Sequence, residues 1–122
     1  MESNLDRAMV LVVDDDPSIL GLIVDILDSE GYSVVSARNG AEALREVRRA
    51  HPDIVLLDMQ MPVLDGWEFM QLVHDSGLQF PVMIMTAGYK AAKVAADVGA
   101  TDYVGKPFEL DELLSKLAQH LH

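Results

Sequence analysis

Three consecutive carboxylates, Asp14, Asp15 and Asp16, follow directly on the apolar run "VLVV". Asp58 closes the run "IVLL", Thr86 closes "MIM", and Lys106 follows "DYVG". Carboxylates crowded at one point repel one another, so such a placement asks for a compensating charge. A few hard oxygen ligands, with room left for water and substrate, suit Mg²⁺. Asp14, Asp15 and Asp58 carry three negative charges; Mg²⁺ and Lys106 together carry three positive ones. A site loaded in this way is near neutral and can accept a dianionic phosphoryl group. Taken singly, each residue has an ordinary explanation. Asp16-Pro17 reads as a helix N-cap followed by proline at the first helical position. Asp14 and Asp15 suit a turn, Asp58 a cap, Thr86 a strand end and Lys106 a solvated surface. Their shared position at the ends of apolar runs is what argues for chemistry.

The elements that must position these residues can be read from the same chain. Apolar runs occur at 8–13, 33–37, 53–57, 81–86 and 101–105. They do not alternate apolar with polar, which is the pattern of strands covered on both faces in a parallel sheet. Helical segments separate them. One starts at Pro17, carries an apolar stripe of Ile19, Ile23, Ile26 and Leu27, and stops at Gly31. A second spans 40–50 with Ala43, Leu44 and Val47 inward. A third opens at Asp65-Gly66, carries Trp67, Met70 and Val73, and ends at Gly77. The last, 109–121, has Leu110, Leu113, Leu114, Leu117 and Leu121 on one face. The segment 88–98 is the poorest: its apolar residues are mostly alanine, with Val94 and Val98 as anchors beside Tyr89. Little apolar area means little burial free energy, and Gly88 adds backbone freedom where the helix should begin. A short, weakly held fourth helix is expected there, the least protected part of the molecule. Five strands alternating with five helices predict a doubly wound, flavodoxin-like α/β fold with a five-stranded parallel sheet of order 2-1-3-4-5. In such sheets the functional crevice lies beyond the carboxyl ends of the strands. Strands 1, 3, 4 and 5 are neighbours in this order, so the polar residues at their ends converge.

Composition narrows the function classes. At 122 residues the chain is expected to be one domain, 1–122, and at 50% hydrophobic it can build a core. A net charge of −11 argues against a nucleic-acid surface, which needs clustered Lys and Arg. The one basic cluster, Arg45, Arg48 and Arg49, reads as a solvated helix face. There is no cysteine, hence neither disulfides nor thiolate chemistry. The start, "MESNLDR", is polar and acidic, unlike a signal peptide. No apolar run approaches the ~20 residues of a membrane span. Met59, Met61, Met70, Met83 and Met85 read as core filler.

The sequence resembles the receiver domain of two-component response regulators over nearly its whole length. The resemblance rests on Asp14-Asp15 after the first strand, "DIVLLDMQMPVLDGWEF" around Asp58, "MIMTA" with Thr86 and "DYVGKPF" with Lys106. It implies that Asp58 is the phosphoacceptor. Asp15 and Asp58 would bind Mg²⁺ directly with the backbone carbonyl of Gln60, and Asp14 mostly through water. Thr86 and Lys106 would each hold a phosphoryl oxygen, and Tyr103 would be the switch aromatic. Lys106-Pro107 would be a cis peptide. The implied donor is a histidine kinase or histidine phosphotransfer protein, and the implied output is a downstream protein target or output domain. A cytoplasmic location follows from the same resemblance, with neither direct nucleic-acid binding nor a membrane. The family counts as a signalling phosphoacceptor rather than an enzyme, catalysing only its own phosphorylation and dephosphorylation. No output domain is legible within these residues, and the start at Met1 with the short end favours a stand-alone regulator over an excised receiver. The alternatives are a receiver-like scaffold that is not phosphorylated, a haloacid-dehalogenase-like phosphatase using Asp14-x-Asp16, and an FMN carrier. Pro17 and Lys106-Pro107 depart from the phosphatase pattern, and three aspartates would repel an FMN phosphate. The stretch from Thr86 to Gly99 is short for the receiver family, which puts in doubt the usual signalling surface across helix 4, strand 5 and helix 5.

Overall fold

The computed structural model describes residues 7–121; the acidic leader read from residues 1–6 lies outside the described residues. Five parallel strands, β1 (Met9–Val13), β2 (Ser33–Ala37), β3 (Ile54–Asp58), β4 (Val82–Ala87) and β5 (Asp102–Lys106), form one sheet of order β2-β1-β3-β4-β5. The helices α1 (Pro17–Ser29), α2 (Gly40–Ala50), α3 (Gly66–Ser76), α4 (Ala91–Val98) and α5 (Leu110–His120) connect them. A 3₁₀ turn at Gly88–Lys90 precedes α4. The expected doubly wound fold and strand order are observed.

The non-alternating strands are buried on both sides. Leu11, Val13, Val55, Leu57 and Ile84 pack with Val47, Phe69 and Val94 on one face. Val10, Val12, Ile54, Leu56, Met83, Met85 and Val104 pack with Ile23, Leu27, Leu113 and Leu117 on the other. Met59, Met83 and Met85 are fully buried, and Met61 and Met70 pack against the core, so the methionines fill it as expected. Among the described residues no helix is long and apolar enough to cross a membrane.

Three helix faces differ from the sequence reading. In α1 the buried set is Leu20, Ile23 and Leu27, while Ile19 and Ile26 are half-buried. Both sets obey the helical period, and a helix rich in apolar residues all round does not reveal its phase. In α3 the buried side chains are Phe69 and Val73, whereas Trp67 is 39% exposed and Met70 half-buried. The cause is at the helix start. A Cβ on Gly66 would lie 2.6 Å from the sulfur of Met59. This close approach presses the first turn onto the sheet and turns Phe69 inward. In α5, Leu113 and Leu117 are buried, Leu114 and Leu121 are half-buried, and Leu110 is 37% exposed.

The expected shortness of the fourth helix is also found. It has 8 residues, against 11 to 13 in the others. No side-chain cap hydrogen bond closes its N-terminus, and it buries Ala91, Val94 and Ala95. By contrast Asp16, Asn39 and Asp65 cap α1, α2 and α3.

Candidate functional site

Strand register brings the polar ends together. Val13 of β1 pairs with Leu57 of β3, Asp58 with Met85 of β4, and Thr86 with Gly105 of β5. Asp14, Asp58, Thr86 and Lys106 therefore rise at one level along the carboxyl edge. Backbone bonds hold them there: the Asp14 N–H donates to the Ala37 carbonyl at 3.1 Å and the Met59 N–H to the Met85 carbonyl at 3.2 Å. The loop after Asp58 is tied back twice. Gly66 N–H donates to the Met59 carbonyl at 3.1 Å, and Gly40 N–H to the Leu64 carbonyl at 2.9 Å. On the other side, a Cβ on Gly105 would lie 2.6 Å from the Gly88 Cα. Only glycine lets the turn after β4 rest on β5 beside Lys106.

The result is a crevice of about 300 Å³ lined by Asp14, Asp15, Asp58, Gln60, Thr86 and Lys106, together with Asp16, Ile19 and Ala87. Asp14 is fully buried, Asp58 is 5% exposed and Thr86 is 4% exposed, whereas Asp15 is exposed. Lys106 Nζ stands 3.2 Å from Asp14 Oδ2 and 3.4 Å from Asp58 Oδ1. Asp14 Oδ1 accepts the Asp16 N–H at 2.9 Å, and Asp58 accepts the Gln60 N–H at 3.3 Å. Asp16 spends its carboxylate as the α1 cap, accepting from Ser18 and Ile19. Its reading as a helix cap therefore holds: the Asp16 carboxylate accepts from the first turn of α1, and it is the Asp16 backbone N–H that meets Asp14.

The charges do not balance. Asp14, Asp15 and Asp58 face a single ammonium, which leaves an excess of two negative charges. Burial raises the Asp58 carboxyl to about 6; the Lys106 charge works against that, and Asp14 adds to it. Burial lowers Lys106, but the neighbouring Asp58 and Asp14 outweigh it and hold the ammonium above its ordinary value. One oxygen from each of the three carboxylates can be chosen so that all lie within 4.8 Å of one another. Hard oxygens, surplus negative charge and one exposed ligand fit a hydrated divalent cation of the Mg²⁺ type.

Of the residues read from the sequence, Asp14, Asp15, Asp58, Thr86 and Lys106 are brought together and Gln60 borders them. Tyr103 is not part of the crevice. It lies opposite Ile84 on the edge strand, is 36% exposed, and has Lys116 Nζ 4.4 Å from its ring centroid. The Lys106-Pro107 peptide is cis. Sequence reasoning missed Lys116 and His120, which meet Asp102 at 3.5 and 2.7 Å. Their one-turn spacing on α5 was the available signal. It also missed the Gly88–Gly105 contact, which two isolated glycines 17 positions apart do not announce.

Comparison with known proteins agrees with this geometry. The model of the response regulator receiver domain family matches residues 10–118. The response regulator MprA of Mycobacterium leprae is 40% identical over 110 residues, 88% of this chain and 48% of the relative. This chain thus spans about half the length of the curated relatives it matches. The chemotaxis response regulator CheY4 of Vibrio cholerae superposes with a TM-score of 0.84 at 34% identity, covering 93% of this chain and 98% of that one. The receiver domain of Francisella response regulator 1452 gives a TM-score of 0.87 at 29% identity, covering 94% and 97%. A chain matched over nearly its whole length by that family's model, and folded as these receivers are, belongs to the response regulator receiver family, the signalling domains of two-component systems.

Proposed function

We propose that Asp58 accepts a phosphoryl group from a histidine kinase or histidine phosphotransfer protein in an Mg²⁺-dependent reaction that switches protein contacts. The observation that carries this reading is Lys106 Nζ held 3.4 Å from Asp58 and 3.2 Å from Asp14 at the mouth of a carboxylate-rich crevice. Asp15, Asp58 and the Gln60 carbonyl would hold Mg²⁺, with Asp14 acting through water. When bound, the metal supplies the charge that lets an anionic donor approach a carboxylate. An Asp58 oxygen then forms the O–P bond as the bond from phosphorus to the donor's imidazole nitrogen breaks. Positioning and charge neutralisation, rather than covalent activation, carry such a transfer. Lys106 neutralises one phosphoryl oxygen and Thr86 donates to another. Ala87, next to Thr86, leaves the group accessible to water, which suits a timed signal.

Phosphorylation adds acceptor oxygens beside Thr86, and the side chain moves toward them. The ring of Tyr103 fills the space vacated, a local electrostatic event that biases a two-state element. The receiver acts through protein contacts, in the cytoplasm, either alone or as the input part of a longer regulator of the kind it matches.

Incubation with Mg²⁺ and acetyl phosphate, followed by intact-mass measurement, tests the reading. One added phosphoryl group is expected, and none in Asp58→Asn. Full modification of that variant at another residue would refute the assignment. An unmodified native protein would instead favour a non-phosphorylated scaffold.

A further inference from the structure

The edge strand β5 carries a second charged cluster, around the residue proposed as the switch. Among the described residues only β4 pairs with β5, so the outward backbone groups of Tyr103 have no strand there to bond. Side chains take that role. The Tyr103 N–H donates to Asp102 Oδ1 at 2.7 Å, and the Tyr103 carbonyl accepts from Lys116 Nζ at 2.5 Å. The same Nζ lies 3.5 Å from Asp102 Oδ1 and 4.4 Å from the centre of the Tyr103 ring. His120 Nε2, one helical turn further along α5, meets Asp102 Oδ2 at 2.7 Å. Lys116 is thus oriented by Asp102, bound to the Tyr103 backbone and set over its ring.

We propose that Lys116 is a positioning residue that holds the Tyr103 ring in its outward place and sets how often the inward place is visited. This rests on the reading of Tyr103 as the switch aromatic. Tyr103 pairs with Ile84, and Thr86 stands two residues beyond Ile84, on the same face of the sheet. An inward ring moves along that face toward Thr86, where α4 is short and uncapped. Doing so separates the ring from the ammonium, while the bond from Lys116 to the Tyr103 carbonyl can remain. The attraction between an exposed ammonium and an aromatic face shifts a two-state population by ~2–5-fold. Capping alone would give Lys116 a different role, protecting a strand edge from pairing with another chain. The two roles separate experimentally, because one needs the charge over the ring and the other needs only a hydrogen-bond donor.

The test uses Lys116→Gln, which keeps a donor for the carbonyl and removes the charge, together with Lys116→Met and Lys116→Arg. Fluorotyrosine is incorporated, and the Tyr103 resonance is assigned with Tyr32→Phe and Tyr89→Phe variants. The inward fraction is read by fluorine NMR without phosphodonor, and the initial rate of phosphorylation by acetyl phosphate is measured in parallel. Lys116→Gln is expected to raise the inward fraction and the initial rate by ~2–5-fold, with Lys116→Arg restoring both. An unaltered ring population in Lys116→Gln would overturn the proposal, even if Lys116→Met proved unstable. Because the ring is read in the unmodified protein, a failure of Asp58 to accept phosphate would count against the site alone, and the ring population would still decide the role of Lys116.

Discussion

The two ends of β5 carry the same kinds of residue in opposite electrostatic conditions. At its carboxyl end Lys106 meets Asp14 and Asp58 in a crevice that also holds Asp15. At its amino end a single carboxylate, Asp102, lies between Lys116 and His120. Asp58 is driven up to about 6, first by burial and then by Asp14. Burial also raises Asp102, but the hydrogen bonds from His120 and the Tyr103 N–H, with the charge of Lys116, outweigh it and hold the carboxyl below its ordinary value. A surplus of largely buried like charge leaves one cluster in need of a compensating cation. A matched set of partners makes the other a fastening. Both clusters set aspartate against lysine, and the stoichiometry of charge and the depth of burial separate them.

The largest test of this contrast is the pH dependence of stability in chelator. The folded pKa of Asp58 lies above its unfolded value, so the native state binds the extra proton between about 4 and 6. Stability should therefore fall as pH rises through that window, by at most about 3 kcal/mol. Asp58→Asn should remove the fall and melt higher than the native protein at pH 8. Asp102 has the opposite sign: its contribution is present above pH 4 and lost on acidification through its lowered pKa. Asp102→Asn should cost about 0.5–1 kcal/mol at pH 7 and progressively less below pH 4. Urea midpoints at pH 4.5 and 8 measure the first slope, and a further point at pH 3 the second. Equal slopes in native protein and Asp58→Asn would break the contrast.

Removing each lysine gives the next largest difference. Lys106→Ala strips the cation from fully buried Asp14 and should cost about 2 kcal/mol at pH 7, less than a wholly buried pair because Lys106 is partly exposed. It should also abolish any phosphate-dependent shift at Tyr103 while leaving some phosphorylation. Lys116→Ala should cost no more than about 1 kcal/mol. Similar costs for the two would mean that the crevice is better solvated than its burial implies.

Magnesium provides a smaller effect. At a few times its dissociation constant it should stabilise the native protein by about 1 kcal/mol and flatten the acid-side slope. The same addition should leave the Asp102 contribution unmoved. No thermal shift at millimolar Mg²⁺ would count against the metal site.

The finest test concerns α4, on the sheet face shared by Ile84 and Thr86. Its buried contacts are Ala91, Val94 and Ala95, against Leu113 and Leu117 in α5. Amide exchange without phosphate should therefore be faster over 91–98 than over 110–120. Equal protection would mean that α4 is not the yielding neighbour into which a ring could move.

The order of residues along the chain was enough to specify the sheet and most of the crevice. Non-alternating apolar runs demand two covered faces, the alternation with helices demands parallel strands, and handed crossovers leave few orders. Residues at the ends of such runs must then meet at one edge, which is why Asp14, Asp58, Thr86 and Lys106 were legible in the chain alone. Rotational and lateral placement, by contrast, came from the packed fold. Whether Leu20 or Ile19 faces inward depends on how α1 seats on the sheet, because both fit a helical period. Phe69 displaces Trp67 because Gly66 lies against Met59. The outward ring of Tyr103, its ammonium from Lys116 and the backbone contact of Gly88 with Gly105 join positions distant in sequence. Their pairing follows from how β5 sits against α5 and the turn after β4, and no local pattern encodes that distance.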